Sequence, residues 1–519
     1  MGTGIAQVAA AAGFEVILYD VSLVQLDRAV HTVRGFLQRS VEKGRQSAAE
    51  AEATAARLHT ITTLGSISGC DVIIEAAPED LGLKKQIFSE LDKVCKPDAI
   101  LATNTSSLSV TEVGALAAHP ARVVGLHFFN PAPLMALVEV VQGKQTADSI
   151  LERAVDLVRR LGKTPVVVQD TPGFIVNRCA RPFYGESLKL LQERVAPPEA
   201  IDRICRLGAG FKMGPFEVMD LVGLDVNFAV TQSVFAQYFY DARYRPNTLQ
   251  QRMVQAGMLG RKSGHGFYRY ENGRAPEPEP APDAGTLAAA GRSALGGWSR
   301  VLVLGGGPLP AQVSAAGLTL LAGSDPTDAH VVVEMSGLPP AERRELLAAV
   351  AGRLRPDALL LCDATDATAT QLAAVAGRPV IGFGALPLRT PGALVEVAAA
   401  LGAPPEALVR AGGFFNALGR PVQVVADSPG LVLGRIISCL VNEAAGALQD
   451  GIAAPRDIDT AVVLGVNYPQ GPLAWGEEVG LPRVLACVET LQAEFGDDRY
   501  RPSFNLRQLV RAKRGFFAS

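Results

Sequence analysis

The sequence contains no apolar run near the ~18 residues that a membrane-crossing helix needs, and no basic stretch leads into a hydrophobic one at its start. Neither a membrane segment nor a signal peptide is therefore expected. It has no excess of either charge. Lys and Arg number 49 against 52 Asp and Glu, a net charge of −3, so neither nucleic acid nor an anionic membrane is expected as a partner. It has no Cys-x-x-Cys pair. The seven cysteines (Cys70, Cys95, Cys179, Cys205, Cys362, Cys439, Cys487) are scattered and odd in number, which argues against a disulfide framework and a zinc site. Reduced, buried thiols in a cytoplasmic protein are the expectation.

What the chain does have is length and apolar content. Its 519 residues suggest three or four domains, and 48% hydrophobic residues allow a large core. Over 1–168, strand and helix signals alternate. Phe14–Asp20 is a short β-rich run ending in an acid. Val21 to about Ala56 is polar with a helical period. Asp71–Glu75 reads as a buried strand, Leu81–Val94 as an amphipathic helix stopped by Pro97, and Ile100–Thr103 as another strand. Alternation of this kind implies a parallel sheet with helices on both faces. The helical period dominates from Thr171 to Tyr270. Residues 271–299 are rich in proline, alanine, glycine and glutamate and read as an extended linker.

The chemistry concentrates in Gly125-Leu-His-Phe-Phe-Asn-Pro131, followed by Glu139 twelve residues after His127. Val123–Phe128 and Ala136–Val141 read as strands, with Asn130, Pro131 and Pro133 in the turn between. That excursion can return Glu139 to His127. The carboxylate would then fix the ring tautomer and stabilise the imidazolium.

This segment resembles the catalytic signature of the bacterial 3-hydroxyacyl-CoA dehydrogenases. Further pieces match in order over 1–270: Gly2-Thr-Gly-Ile-Ala-Gln7, Asn104-Thr-Ser-Ser-Leu108, Asp170-Thr-Pro-Gly-Phe-Ile-Val-Asn-Arg178, Gly214-Pro-Phe-Glu217 and Lys262-Ser-Gly-His-Gly-Phe-Tyr268. The resemblance implies an α/β Rossmann-like dinucleotide-binding domain at 1–168 and an all-α C-terminal domain at 171–270. It also implies NAD as cofactor and an acyl-CoA as substrate. His127 would take the hydroxyl proton of an L-3-hydroxyacyl-CoA, Glu139 would hold the ring, and Ser106 and Asn177 would hydrogen-bond the substrate oxygen. Asn130 would contact cofactor or substrate.

For the cofactor, the family's glycine-rich pattern begins here only at its last glycine, Gly2. The strand and two glycines ahead of it are absent; a start some dozen residues upstream is the favoured expectation, and a chain that lacks its phosphate cradle and binds cofactor weakly is the alternative. Asp20 closes a strand about one helix after Gly2. It is placed to accept both hydroxyls of a ribose, favouring NAD over NADP. By resemblance, Glu79 and Lys84 sit near the nicotinamide ribose, although Glu79 could equally be a first-turn helix carboxylate. Asn104 and Ser106 follow a strand at its carboxyl end, where such sheets bind ligands. Lys43 and Arg45 are candidates for the CoA phosphates, against a solvated helix end. Lys262 reads as structural or as a neighbour of the cofactor.

After the linker the chain repeats itself. Val380–Val397 aligns without gaps on Val123–Val140, and Gly430–Arg435 aligns on Gly173–Arg178 at the same offset of 257. A diverged second copy follows, α/β at about 300–425 and helical at 427–519. Gly384 stands for His127, Pro387 for Asn130 and Gly434 for Asn177, while Glu396 keeps the place of Glu139. This half reads as structural, pairing its helical domain with the first within one chain. A regulatory CoA site is the alternative, and a homo-oligomer stays open. Rival functions are a non-catalytic CoA- or dinucleotide-binding protein and a dehydrogenase of a small hydroxy acid without CoA. Fused tandem members resemble enzymes of phenylacetate breakdown acting on 3-hydroxyadipyl-CoA. Butanoate or fatty-acid metabolism stays open.

Overall fold

The computed structural model describes residues 1–272, 295 and 297–518. Most of the expected linker, 271–299, lies outside the described residues. The chain forms two compact units. One is Met1–Arg178 with Asp450–Asn467; the other is Cys179–Gln449 with Tyr468–Ser519. These units cut across the boundaries read from the sequence.

In the first unit the strands are β1 (Val16–Tyr19), β2 (Leu58–Ile61), β3 (Val72–Glu75), β4 (Ile100–Thr103), β5 (Val123–Phe128), β6 (Leu137–Gln142) and β7 (Thr164–Gln169). Strands β3-β4-β5-β6-β7 form one sheet, and β1 and β2 form a separate parallel pair. Only β5 and β6 run antiparallel. Ile5, Val8, Leu126, Val138, Val140 and Val158 pack into one core on this sheet. The first helix spans Gly2–Ala11, and Gly13 after it takes φ +91°. The stretch Val21–Ala56 is two helices rather than one. Leu23–Glu42 ends before Gly44, and Ala48–Ala56 restarts under a capping box of Ser47 and Glu50. Strands β2 and β7 have no counterpart in the sequence reading. The β7 run carries Pro165, which its place at the edge of the sheet tolerates.

The expected burial of β3 needs correction. Val72, Ile73 and Ile74 are only half-buried. β3 pairs with β4 alone, and β1 pairs with β2 alone. The segment 450–467 completes this unit. The Gln169 amide at the end of β7 donates to the Ile452 carbonyl at 2.9 Å, the helix Pro455–Val466 lies against β6 and β7, and Arg178 pairs with Asp450 at 2.8 Å.

The second unit contains β8 (Arg300–Leu304), β9 (Thr319–Leu320), β10 (Val331–Glu334), β11 (Leu359–Asp363), β12 (Ile381–Phe383), β13 (Val395–Ala399) and β14 (Val422–Val424). Their order is β14-β13-β12-β11-β10-β8-β9, parallel except for β12–β13. Here β8 pairs with both β10 and β9, and β10 is fully buried. The helix Leu433–Gln449, buried along nearly all its length, packs on the helix Arg181–Gln192. Arg435 lies wholly inside. Its guanidinium donates to Glu186 at 2.9 Å, Glu193 at 2.6 Å and the Tyr500 hydroxyl at 2.6 Å. Ala426 donates to the Val195 carbonyl at 2.8 Å, as Gln169 does to Ile452 in the first unit.

Candidate active site

The register of β5 and β6 sets His127 directly opposite Glu139. Directly opposed residues of an antiparallel pair share one face, with Cβ atoms about 5 Å apart. His127 Nδ1 lies 2.6 Å from Glu139 Oε2. Glu139 is fully buried, and its other oxygen accepts the amides of Ile175 and Val176 at 3.0 Å each. Both oxygens of this carboxylate are therefore partnered, which compensates its removal from water. The acceptor beside Nδ1 places the ring proton there and leaves the lone pair on Nε2. Nε2 has no partner among the described residues. The ring is braced by Phe129 and Phe174, with centroids 4.5 and 5.7 Å away.

The brace extends to residue 465. A Cβ at Gly465 would come within 2.9 Å of Leu137 and Val176 and 3.4 Å of the Phe129 ring. The helix Pro455–Val466 thus approaches the imidazole's support closely only because glycine stands there. The two phenylalanines and this contact are invisible to motif spacing, since they depend on which helix covers the sheet.

The remaining predicted residues fall into two groups. Asn177 sits on the short helix Val176–Cys179, one residue past the amide held by Glu139, and is half-buried. Asn104 Oδ1 accepts the Phe128 amide at 2.9 Å, so it ties its loop to β5 beside His127. Glu79 and Ser106 meet directly. The Ser106 amide donates to Glu79 Oε1 at 2.7 Å, its hydroxyl lies 3.3 Å from the same oxygen, and Thr105 Oγ1 donates at 2.8 Å. Asn130 is exposed in the turn, ahead of a cis bond to Pro131.

Three expectations change. Ser106, assigned to the substrate oxygen, has its hydroxyl directed at Glu79. Glu79 is no simple first-turn carboxylate; it organises the 105–108 loop. Lys84, assigned near the ribose, is 1% exposed. Its ammonium is held by Glu75 at 2.7 and 2.9 Å, with Glu79 at 3.7 Å. A buried ammonium needs an anionic partner, and Glu75 supplies it while also accepting from Thr103 Oγ1 at 2.7 Å. Sequence reading passed over Glu75; an acid ending the apolar run Val-Ile-Ile was the available signal. Lys43 and Arg45 lie exposed beyond a helix end. Lys262 pairs with Asp225, in the first turn of the helix Leu224–Gln237, at 2.5 Å.

The residues present fit a dinucleotide. Asp20 Oδ1 accepts the Ser22 amide at 2.9 Å, and Asp20 forms no ion pair among the described residues, so its carboxylate can accept ribose hydroxyls. The helix Gly2–Ala11 starts without a side-chain cap, leaving its first amides for an anion.

Known proteins resemble this chain over both domains. Residues 1–171 match the NAD binding domain of 3-hydroxyacyl-CoA dehydrogenase, and 173–270 and 430–515 match its C-terminal domain. The chain is 40% identical to 3-hydroxyadipyl-CoA dehydrogenase of Escherichia coli K12, over 99% of this chain and 96% of that protein. It is 41% identical to a probable 3-hydroxybutyryl-CoA dehydrogenase of Bacillus subtilis, over 52% of this chain and 94% of the relative. A crystal structure of 3-hydroxybutyryl-CoA dehydrogenase from Escherichia coli K12 superposes with a TM-score of 0.81 at 39% identity, covering 99% of this chain and 96% of that one. With both domains matched and one relative spanning nearly its whole length, the chain belongs to the 3-hydroxyacyl-CoA dehydrogenase family.

Proposed function

We propose that His127 is the general base in NAD-dependent oxidation of an L-3-hydroxyacyl-CoA to the 3-ketoacyl-CoA. The observation that supports this most is the 2.6 Å contact between Nδ1 and Glu139, which leaves Nε2 as the free basic nitrogen. Nε2 takes the proton of the C3 hydroxyl, and Glu139 pairs with the imidazolium that results. In reverse, Nε2 returns the proton to the developing alkoxide. A positioned base is worth roughly 10²–10⁴ in rate. Asn177, set by the helix start that Glu139 anchors, donates to the oxygen as charge grows on it. Asp20 and the first turn at Gly2 hold the cofactor, and Asn104 and Glu79 fix the loop that faces it. NAD, when bound, supplies the acceptor for the hydride from C3.

Within this reaction class, the full-length relative named 3-hydroxyadipyl-CoA dehydrogenase favours a carboxylated acyl chain. A panel of 3-hydroxyacyl-CoA substrates with and without a terminal carboxylate, followed by NADH absorbance, tests both claims. No NADH from any member would leave a binding protein as the better account. A preference for the uncarboxylated chain would overturn the acyl assignment alone.

A further inference from the structure

β8 runs directly into Gly305-Gly306-Gly307, and the turn cannot be made otherwise. Gly305 takes φ +135° and Gly307 φ +98°. A Cβ at Gly305 would collide with the Met335 carbonyl, a position open only to glycine. The turn opens onto a cavity of about 450 Å³ at the carboxyl ends of β8, β10, β11 and β12, where sheets of this kind receive ligands. From sequence this half reads as structural, with a regulatory CoA site as the alternative, and the three glycines carry no expectation there.

The walls carry a definite chemistry. Arg389 and Arg483 present guanidinium groups, and Ser336, Thr365 and Ser438 also line the cavity, the Ser336 and Thr365 hydroxyls donating to Glu334 and Asp363 at 2.6 Å each. No carboxylate is among the lining residues. Arg483 is held in place by Asp363 and by Thr365 Oγ1. Arg389 is exposed and forms no ion pair among the described residues. Leu388, Ile437 and Val479 add apolar lining. Part of the space exists because Gly434 stands at the position matched to Asn177. No imidazole faces the cavity, since Gly384 takes the place of His127.

We propose that this cavity is a second, non-catalytic ligand site that takes a phosphate ester of about mononucleotide size. A glycine-only turn lets backbone amides approach phosphate oxygens, and a free guanidinium pairs with them bidentately. The apolar lining receives the body of the ligand. The strand β9 is followed by Leu321 and Ala322 instead of an acid, so the ribose contact proposed for Asp20 in the first unit has no equivalent. That favours a mononucleotide over a full dinucleotide. A free nucleotide and the phosphorylated end of CoA share this chemistry.

Hydrogen exchange on the full chain with millimolar ADP, CoA or adipate tests the site. We expect ADP, CoA or both to slow exchange at 305–307 and 335–337, and the arm that protects identifies the source. Arg389→Glu and Gly434→Leu should each weaken that protection by about tenfold or more in ligand concentration, with the ligand-free exchange pattern retained. Arg389 is a surface side chain, so its variant stays informative if Gly434→Leu folds poorly. Three results would each overturn the proposal: no slowing with either phosphate ester, slowing that neither variant alters, or slowing by adipate alone.

Discussion

Glu139 and Glu396 hold the same kind of anchor, yet only Glu139 faces an imidazole. Glu139 accepts the amides of Ile175 and Val176; Glu396 accepts those of Val432 and Leu433 at 2.8 and 3.0 Å. Each carboxylate pins the start of a helix to an antiparallel strand pair. Glu396 therefore has a structural reason to persist where Gly384 has removed any ring to orient. Burial pushes its carboxyl up to about 7, against the lowering effect of the two amides.

This difference makes stability depend on pH. A carboxyl near 7 in the folded state and near 4.5 unfolded binds its proton more tightly when folded. Its contribution is fully present below about pH 4.5 and is lost as pH rises through about 7, on the order of 3 kcal/mol at most. Urea unfolding at pH 5 and pH 8 should show this loss, and Glu396→Gln should flatten it. An unchanged slope in the variant would assign the pH dependence elsewhere.

His127→Gln should lower kcat by about 10³-fold with little change in the melting temperature. Steady-state NADH formation and circular dichroism measure the two. Retention of more than about a tenth of the rate would remove His127 from the role of base.

Glu139 combines two functions that substitutions can separate. Glu139→Gln keeps an oxygen for Ile175 and Val176 but presents an amide N–H to the ring, favouring the tautomer whose proton sits on Nε2. A loss of about 10²–10⁴-fold in kcat is expected without large destabilisation. Glu139→Ala leaves two buried amides unpaired and should cost a further ~1–3 kcal/mol for each. Equal melting temperatures for the two variants would refute the anchoring role.

Arg435 tests the contact between helices in the second unit. Arg435→Met takes the nearer cation from the buried Glu186 and leaves it only Arg499 at 3.8 Å, and a loss of about 3 kcal/mol in chemical denaturation is expected. A change below about 1 kcal/mol would mean that the network with Glu193 and Tyr500 is solvated.

Asp20 should set cofactor choice. The ratio of kcat/KM for NAD over NADP should fall by at least about tenfold in Asp20→Asn, because the repulsion of a 2′-phosphate is removed. An unaltered ratio would place the discrimination on another residue.

The sequence alone determined the strand–turn–strand carrying His127 and Glu139. Periodicity, turn residues and a spacing of twelve leave few ways to lay that segment out. It also determined the helix Leu81–Val94 and the absence of an imidazole at 384 and an amide at 434, since these are local or one-to-one facts. Only the tertiary structure decided where the long-range partners go. Lys84 turned inward because β3 offers Glu75 to it, and Ser106 turned to Glu79 because two loops from different strands converge. The Gly465 contact and the cavity beyond Gly305–Gly307 depend on segments more than a hundred residues apart in the chain. Such contacts leave no period in the sequence, because they follow from which surfaces remain to be buried once the local elements have formed.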